Sequence, residues 1–301
     1  MDFAIAGVDV NPLLLAAIGL VVGTLGGFFG VGGGFIAGPL MFWAGVPMNF
    51  VVGTGLAQMT GKAIVATRRH RALGHVDIRL GLTMVAGTVV GVEVGARLIE
   101  ALKVIGAVDV VIGLTYVVIL AFIALFTAWE SILALRMIRE DGLDVEEAVG
   151  FKGIARRVRR IAVPPIVSFP ESGIASISLW AVLGVGLFTG LLTGCLGVGG
   201  GFVRMPLLVY VLGIPTHVAV GTDLFEIVLS AGFGTLTHAL KGNVDIFMAL
   251  IIQIGSVLGA QIGVAATRFF VGPRIRLLFS GLSLIGAVLV LTQLSSSGFA
   301  H

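Results

Sequence analysis

An all-helical protein embedded in a membrane, built from two similar halves, is the fold class the sequence predicts, and three observations predict it. Of the 301 residues, 57% are apolar and only 12% charged, with a mean hydropathy of +1.10. Soluble domains carry about 25% charged residues. Apolar runs of roughly 20 residues, the length needed to cross a hydrocarbon core about 30 Å thick, recur along the chain. A glycine-rich hexapeptide, Gly30 to Phe35, then returns as Gly197 to Phe202. The 45 glycines sit inside apolar runs, where small residues let membrane helices approach closely, so a low-complexity chain is excluded.

In order, the first apolar runs cover residues 12–30, 50–67, 78–101 and 104–128. No Lys or Arg precedes the first of them, so it is expected to be a retained helix and not a signal peptide. The pattern resumes with 175–194, 217–240, 246–270 and 275–294. Between the first two runs of each half lies a shorter apolar piece, 35–46 and 202–214. At about 1.5 Å per residue such a piece crosses little more than half a membrane, so each is expected to be a half-helix. The expected organisation is repeat 1 over 1–129, a charged linker over 130–174 and repeat 2 over 175–301. Each repeat has four full transmembrane helices and one short glycine-broken helix.

The repeat is detailed. Pro39-Leu40 returns as Pro206-Leu207 at the offset of the glycine motif. After a one-residue insertion Pro47 matches Pro215, Gly53-Thr54 matches Gly221-Thr222, His70 matches His238, and Gly74 to Ile78 matches Gly242 to Ile246. The stripe Gly87, Gly91, Gly95 returns as Gly255, Gly259, Gly263. Basic residues swap ends between the halves: Arg68, Arg69, Arg71 and Arg79 face only Lys241 at the equivalent loop, whereas Arg268, Arg274 and Arg276 outnumber Arg97 and Lys103. Because positive loops are cytoplasmic, the two repeats are expected to be inverted relative to each other.

The linker groups acidic residues (Glu140, Asp141, Asp144, Glu146, Glu147) ahead of basic ones (Arg156, Arg157, Arg159, Arg160) and cannot cross a bilayer. It reads as a cytoplasmic segment with amphipathic helical pieces ended by Pro164-Pro165, its basic run serving as a positive-inside anchor or as a contact for anionic lipid. A net charge of +3 with so few cations gives no nucleic-acid footprint. One cysteine, Cys195, permits no internal disulfide and no multi-cysteine metal site. Gly55 to Lys62 fails as a phosphate loop, since Ala63 replaces the required Ser or Thr, and Gly30-Val31-Gly32 lacks the rest of a dinucleotide fingerprint. With scattered histidines and no convergent nucleophile and base, neither an enzyme nor a cofactor or metal is expected.

Matched breaks in two repeats point instead to a central binding site. Non-helical backbone at membrane depth persists only where protein buries it or a polar cavity lies beside it. Gly32, Gly33 and Gly34, with Gly199, Gly200 and Gly201, are therefore candidate substrate-binding positions, where helix restarts would offer free N–H groups to an anion; the bland alternative is tight packing. Arg204, whose counterpart is Ala37, could clamp a sulfonate or carboxylate or could pair with Asp223 or Glu226. Thr54, Thr222 and Gln58 offer hydroxyl and amide hydrogen bonds to an oxyanion, or serve as interhelical glue. Asp223 and Glu226 share one helical face and are the candidate proton couplers, because a carboxylate in apolar surroundings can load and release a proton. Glu93, equivalent to Gln261, is a further coupling candidate expected on the small-residue stripe. Asp77 and Asp245 read as helix caps, His217 as a surface residue, and His70 and His238 as loop-flanking.

The run Gly-Val-Gly-Gly-Gly-Phe-x-x-x-Pro-Leu, then Val-Pro or Ile-Pro, then Val-Gly-Thr, stands twice, over 30–54 and 197–222, and resembles the TauE/SafE sulfite exporter family of membrane permeases. The duplicated signature covers Gly32, Gly33, Gly34, Pro39, Gly53 and Thr54, and Gly199, Gly200, Gly201, Pro206, Gly221 and Thr222. Asp223 stands where the family commonly has Ser, and the long linker departs from shorter members. The resemblance implies a multi-pass secondary transporter in the cytoplasmic (inner) membrane, moving sulfite or small organosulfur or organic anions, often outward. Proton coupling, surrounding lipid and self-association complete the expected picture; an anion channel or uniporter, or a membrane sensor or scaffold, are the alternatives.

Overall fold

The computed structural model describes residues 2–3, 5–29, 33–141, 157–158, 163–267 and 272–298. Gly32, with Gly30 and Val31, falls outside them, as do the acidic stretch 144–147 and Arg156, Arg159 and Arg160 of the linker.

Ten α-helices are found among the described residues. The first half holds α1 (Pro12–Phe29), α2 (Gly34–Trp43), α3 (Met48–Ala72), α4 (Ile78–Val104) and α5 (Val108–Asp141). The second holds α6 (Leu179–Leu196), α7 (Gly201–Pro206), α8 (Thr216–Leu240), α9 (Ile246–Thr267) and α10 (Gly272–Gly298). Seven of these are long and apolar enough to cross a membrane. Helix α3 has the length, 25 residues, but carries Lys62 and a basic C-terminal end. Two small hairpins add to the helices. β1 (Asp2–Phe3) pairs with β2 (Val8–Asp9), and β3 (Ile166–Phe169) pairs antiparallel with β4 (Ile174–Ser178).

Local chemistry sets the helix starts. Pro12 opens α1 behind Asn11, whose side-chain oxygen accepts from Leu13 N at 2.9 Å. Asp77 caps α4 by accepting from Leu80 N at 2.9 Å, and Asp245 caps α9 by accepting from Met248 N at 3.0 Å, as the sequence leads one to expect. Asp109 of α5 reaches the start of α3 and accepts from Met48 N at 2.9 Å. The second short segment is less regular than expected. Helix α7 gives way after Pro206, which has no N–H to donate, to one π-helical turn over Leu207–Val211.

Helices from the two halves interleave. α1 packs along α9, α4 along α6, α3 along α8, and α5 along α10. Gly19, Gly23 and Gly27 of α1 lie on the backbone of Ile252, Ser256 and Ala260 in rising order, so α1 and α9 run in one direction. Gly87, Gly91 and Gly95 meet Leu183, Leu187 and Leu191 in the same way, so α4 and α6 are also parallel. A Cβ at most of these glycines would fall on a carbonyl of the facing helix, the close approach that small residues permit between membrane helices.

The α3–α8 pair runs in opposite directions. Thr54, near the start of α3, accepts from Asp245 N just past the end of α8 at 3.1 Å. Thr222, near the start of α8, accepts from Asp77 N just past the end of α3 at 2.9 Å. α5 and α10 are antiparallel too, with Gly113 against Leu294 and Gly286 against Leu120.

Helix α5 continues through Glu130 and Ser131, both buried, to Asp141, beyond the boundary expected from hydropathy. The β3–β4 hairpin packs on the start of α4. Ser172 donates to Asp77 at 2.6 Å, and Phe169, Ile174 and Ile177 join Leu80, Met84 and Leu208 in a second core cluster.

Candidate substrate site at the helix break

Two helices end and restart in the middle of the bundle. α6 ends at Leu196, with Gly197 in the left-handed region (φ 68°) and its N–H on the Thr193 carbonyl at 2.9 Å. The Leu196 carbonyl accepts from the buried Tyr116 hydroxyl of α5. In the first half, Gly33 (φ 70°) precedes α2, and the stretch before it is not described. The two breaks touch: a Cβ at Gly34 would lie 2.9 Å from the Val198 carbonyl, and the Phe35 and Phe202 rings stack at 6.5 Å.

Arg204 of α7 projects into this centre and is fully buried, together with Asp223 and Glu226 of α8. Its Nη1 donates to Asp223 Oδ1 at 3.0 Å and to Glu226 Oε2 in a direct ion pair. Its Nε donates to Thr189 Oγ1 of α6 at 3.1 Å. Ser230, one turn beyond Glu226, donates to Glu226 Oε2 at 3.0 Å. Arg204 Nη2 and Glu226 Oε1 have no hydrogen-bond partner. Of the two Arg204 alternatives, the pairing with Asp223 and Glu226 is the one observed, and Nη2 is left over as a donor.

The break glycines make room for this triad. A Cβ at Gly200 (φ 69°) would come within 2.7 Å of Arg204 Nη2 and 2.8 Å of Thr193 Oγ1. A Cβ at Gly201 would lie 2.7 Å from Asp223 Oδ2. Gly199 similarly accommodates the methyl end of Met59 from α3. Chemically, the arrangement is a buried centre that sets one guanidinium and two carboxyl groups against bare backbone.

The remaining sequence candidates fall elsewhere. Thr54 and Thr222 are buried, but each hydroxyl accepts from the backbone N–H of a capping aspartate and thereby ties α3 to α9 and α8 to α4. Gln58 is buried beside α9, where its amide donates to Ser256 Oγ at 2.6 Å and Ser256 donates to the Gly19 carbonyl at 3.1 Å. The Gln58 atom without a partner is Oε1, an acceptor. Glu93 stands apart from the triad. It is one-third exposed, pairs with Arg97 at 2.7 Å and Lys241 at 3.5 Å, and does not lie on the glycine stripe that faces α6.

His217 is exposed as expected, its ring 5.0 Å from that of His75. His238, in the last turn of α8, flanks the loop as expected, and it is also fully buried, with Nε2 3.0 Å from the Gly194 carbonyl just ahead of the break. Thr189, Ser230 and Tyr116 complete the centre and were not singled out by the sequence. For Ser230 a signal existed in its helical spacing from Glu226. Thr189 and Tyr116 reach the centre through tertiary packing alone.

A family model described as "Sulfite exporter TauE/SafE" matches residues 15–290. Curated relatives include the probable membrane transporter protein YunE of Bacillus subtilis, 27% identical over 85% of this chain and 88% of that protein. A probable membrane transporter protein of Methanocaldococcus jannaschii is 23% identical over 89% of this chain and 91% of its own length. One from Xylella fastidiosa is 35% identical over 38% of this chain and 44% of that protein. No solved structure matches. With the paired glycine breaks, the membrane-length helices and a family match over most of the chain, the protein belongs to the TauE/SafE sulfite exporter family of membrane transporters.

Proposed function

We propose that the protein is a proton-coupled secondary transporter that exports sulfite or small organosulfur or organic anions across the cytoplasmic membrane. The observation that carries this reading is the buried Arg204–Asp223–Glu226 triad set against the Gly199–Gly201 break. Ions are expensive to hold in an apolar interior and mark substrate or ion paths by default. A guanidinium presents a planar fork that suits sulfonate, sulfite and carboxylate, and the two carboxylates beside it can exchange protons.

The reading includes an inverted relation between the halves. It is supported by the reciprocity of the packing, in which α1 on α9 mirrors α6 on α4 and two equivalent pairs, α3–α8 and α5–α10, are antiparallel. The hydrogen bonds Thr54–Asp245 and Thr222–Asp77 are images of one another. In this arrangement the C-terminal ends of α3 and α5 share a side, so Arg68, Arg69 and Arg71 lie on the face from which the charged linker departs. That face is cytoplasmic by the positive-inside rule. Movement of the triad-bearing α7–α8 unit against α2–α3 would then expose the site alternately to the two sides.

Counterflow in proteoliposomes at zero membrane potential tests the function. Labelled sulfite or a labelled sulfonate should accumulate transiently against its gradient when unlabelled anion is trapped inside. A flux that only equilibrates would indicate a channel, and no flux of any anion would overturn the reading.

A further inference from the structure

We infer that the site accepts a singly charged anion together with one proton, and discriminates against doubly charged anions of the same shape. This rests on the triad being the anion site and deepens it to a charge class and a stoichiometry.

The argument is one of charge balance in a buried cluster. Arg204, Asp223 and Glu226 are all enclosed, and with both carboxyls ionised they sum to a single negative charge. An uncompensated ion in a dry interior is costly, so the empty triad is favoured with one carboxyl protonated, which makes it neutral. A monovalent anion brings one further negative charge, and neutrality returns when the second carboxyl is protonated too. A divalent anion exceeds what the triad can balance, because no third carboxyl is present in it.

The unpartnered atoms agree with this count. Arg204 Nη2 is a free donor and Glu226 Oε1 a free acceptor. A carboxyl of the pair that carries a proton is a donor as well, beside the Arg204 donor. The other groups facing the triad are neutral: Thr189 and Thr193 on α6, Ser230 on α8 and Met59 on α3. Of the titratable residues on the helices packed against α8, Lys62 of α3 lies one turn beyond Met59, Arg68, Arg69, His70 and Arg71 end α3, Arg79 opens α4, Glu93 pairs with Arg97 and Lys241, Glu100 pairs with Lys103, and His238 of α8 itself meets the Gly194 carbonyl. Of sulfite, the form selected is hydrogen sulfite, and its electroneutral passage with a proton runs outward while the outward anion gradient exceeds the opposing proton gradient.

The test is calorimetric titration of the purified full chain in detergent with methanesulfonate and with sulfate, which differ in charge but share a tetrahedral sulfur centre. Repeating it in two buffers of different ionisation enthalpy reads the protons bound. The expected result is methanesulfonate binding at least about tenfold tighter than sulfate, with about one proton taken up, and affinity falling by up to about tenfold per pH unit on the alkaline side. The folded Asp223→Asn/Glu226→Gln double variant should bind methanesulfonate without proton uptake. Equal affinity for sulfate, or binding by the unaltered protein without proton uptake, would overturn the inference alone. No binding of methanesulfonate, sulfate, sulfite or acetate would overturn the anion-site reading beneath it.

Discussion

Arg204 and Glu226 form a direct ion pair in which neither side chain is exposed to solvent. One sits on the short helix that restarts after the second glycine break, the other on the long helix beside it. A pair so placed links the geometry of the break to the charge state of its neighbours, and several consequences can be measured.

Arg204→Ala removes the counter-ion and leaves the carboxyl pair enclosed with its negative charge unpaired. Breaking a buried pair in this way costs about 3–5 kcal/mol. The variant should unfold at markedly lower temperature in detergent, and adding Asp223→Asn and Glu226→Gln should recover most of the loss. Recovery identifies stranded charge, not lost packing, as the cause.

Gly200→Ala should abolish transport. The position needs a left-handed backbone, and the added methyl would press on Arg204 Nη2 and Thr193. Gly184→Ala is the control, because nothing lies within 4 Å of a Cβ there and the residue is in the middle of α6. That change should be neutral or stabilising by up to about 1 kcal/mol. Transport assays with melting curves on both variants distinguish the two sites.

Thr222→Val deprives the Asp77 N–H of its partner while nearly preserving shape, and Thr54→Val does the same to Asp245. A buried donor left unsatisfied costs about 1–3 kcal/mol. Both variants should lose stability by similar amounts, and anion affinity should be unchanged in whatever fraction folds. A selective loss of affinity in a stable Thr222→Val protein would place that hydroxyl on the substrate.

Leu73→Cys and Lys241→Cys, each in a Cys195→Ser background, should label from opposite sides of the membrane. The two positions end the equivalent helices α3 and α8, which are antiparallel here. Impermeant thiol reagent added to oriented vesicles checks this, and labelling of both from one side would overturn the inverted relation.

Much of this was legible in the chain. The helix caps Asp77 and Asp245 were readable because capping depends on neighbours in sequence. The grouping of Arg204 with Asp223 and Glu226 was foreshadowed by rare charges near a break, since polar groups in apolar runs need partners. Glu93 was misplaced because an apolar helix has no polar face to orient it; the glycine stripe turns toward α6 while Glu93 turns toward Arg97 and Lys241. The burial of His238 is not legible, because the chain shows its distance from Gly242 but not the packing of α8 on the end of α6. The sequence leaves the Gln58 amide as an oxyanion donor or as interhelical glue, and only the fold brings up Ser256, which takes that donor. The β3–β4 hairpin went unseen in a segment read by charge alone.

The most direct test of the central claim is anion counterflow by a charge-neutral triad, Arg204→Gln/Asp223→Asn/Glu226→Gln, reconstituted beside the unaltered protein. All three side chains keep their approximate size and no buried ion is stranded, so the variant should fold with a melting temperature close to that of the parent. The account predicts that it has lost sulfite and sulfonate counterflow altogether. A folded triple variant that still exchanges these anions at the parent rate would show that the triad only holds the helices together and that the substrate passes elsewhere.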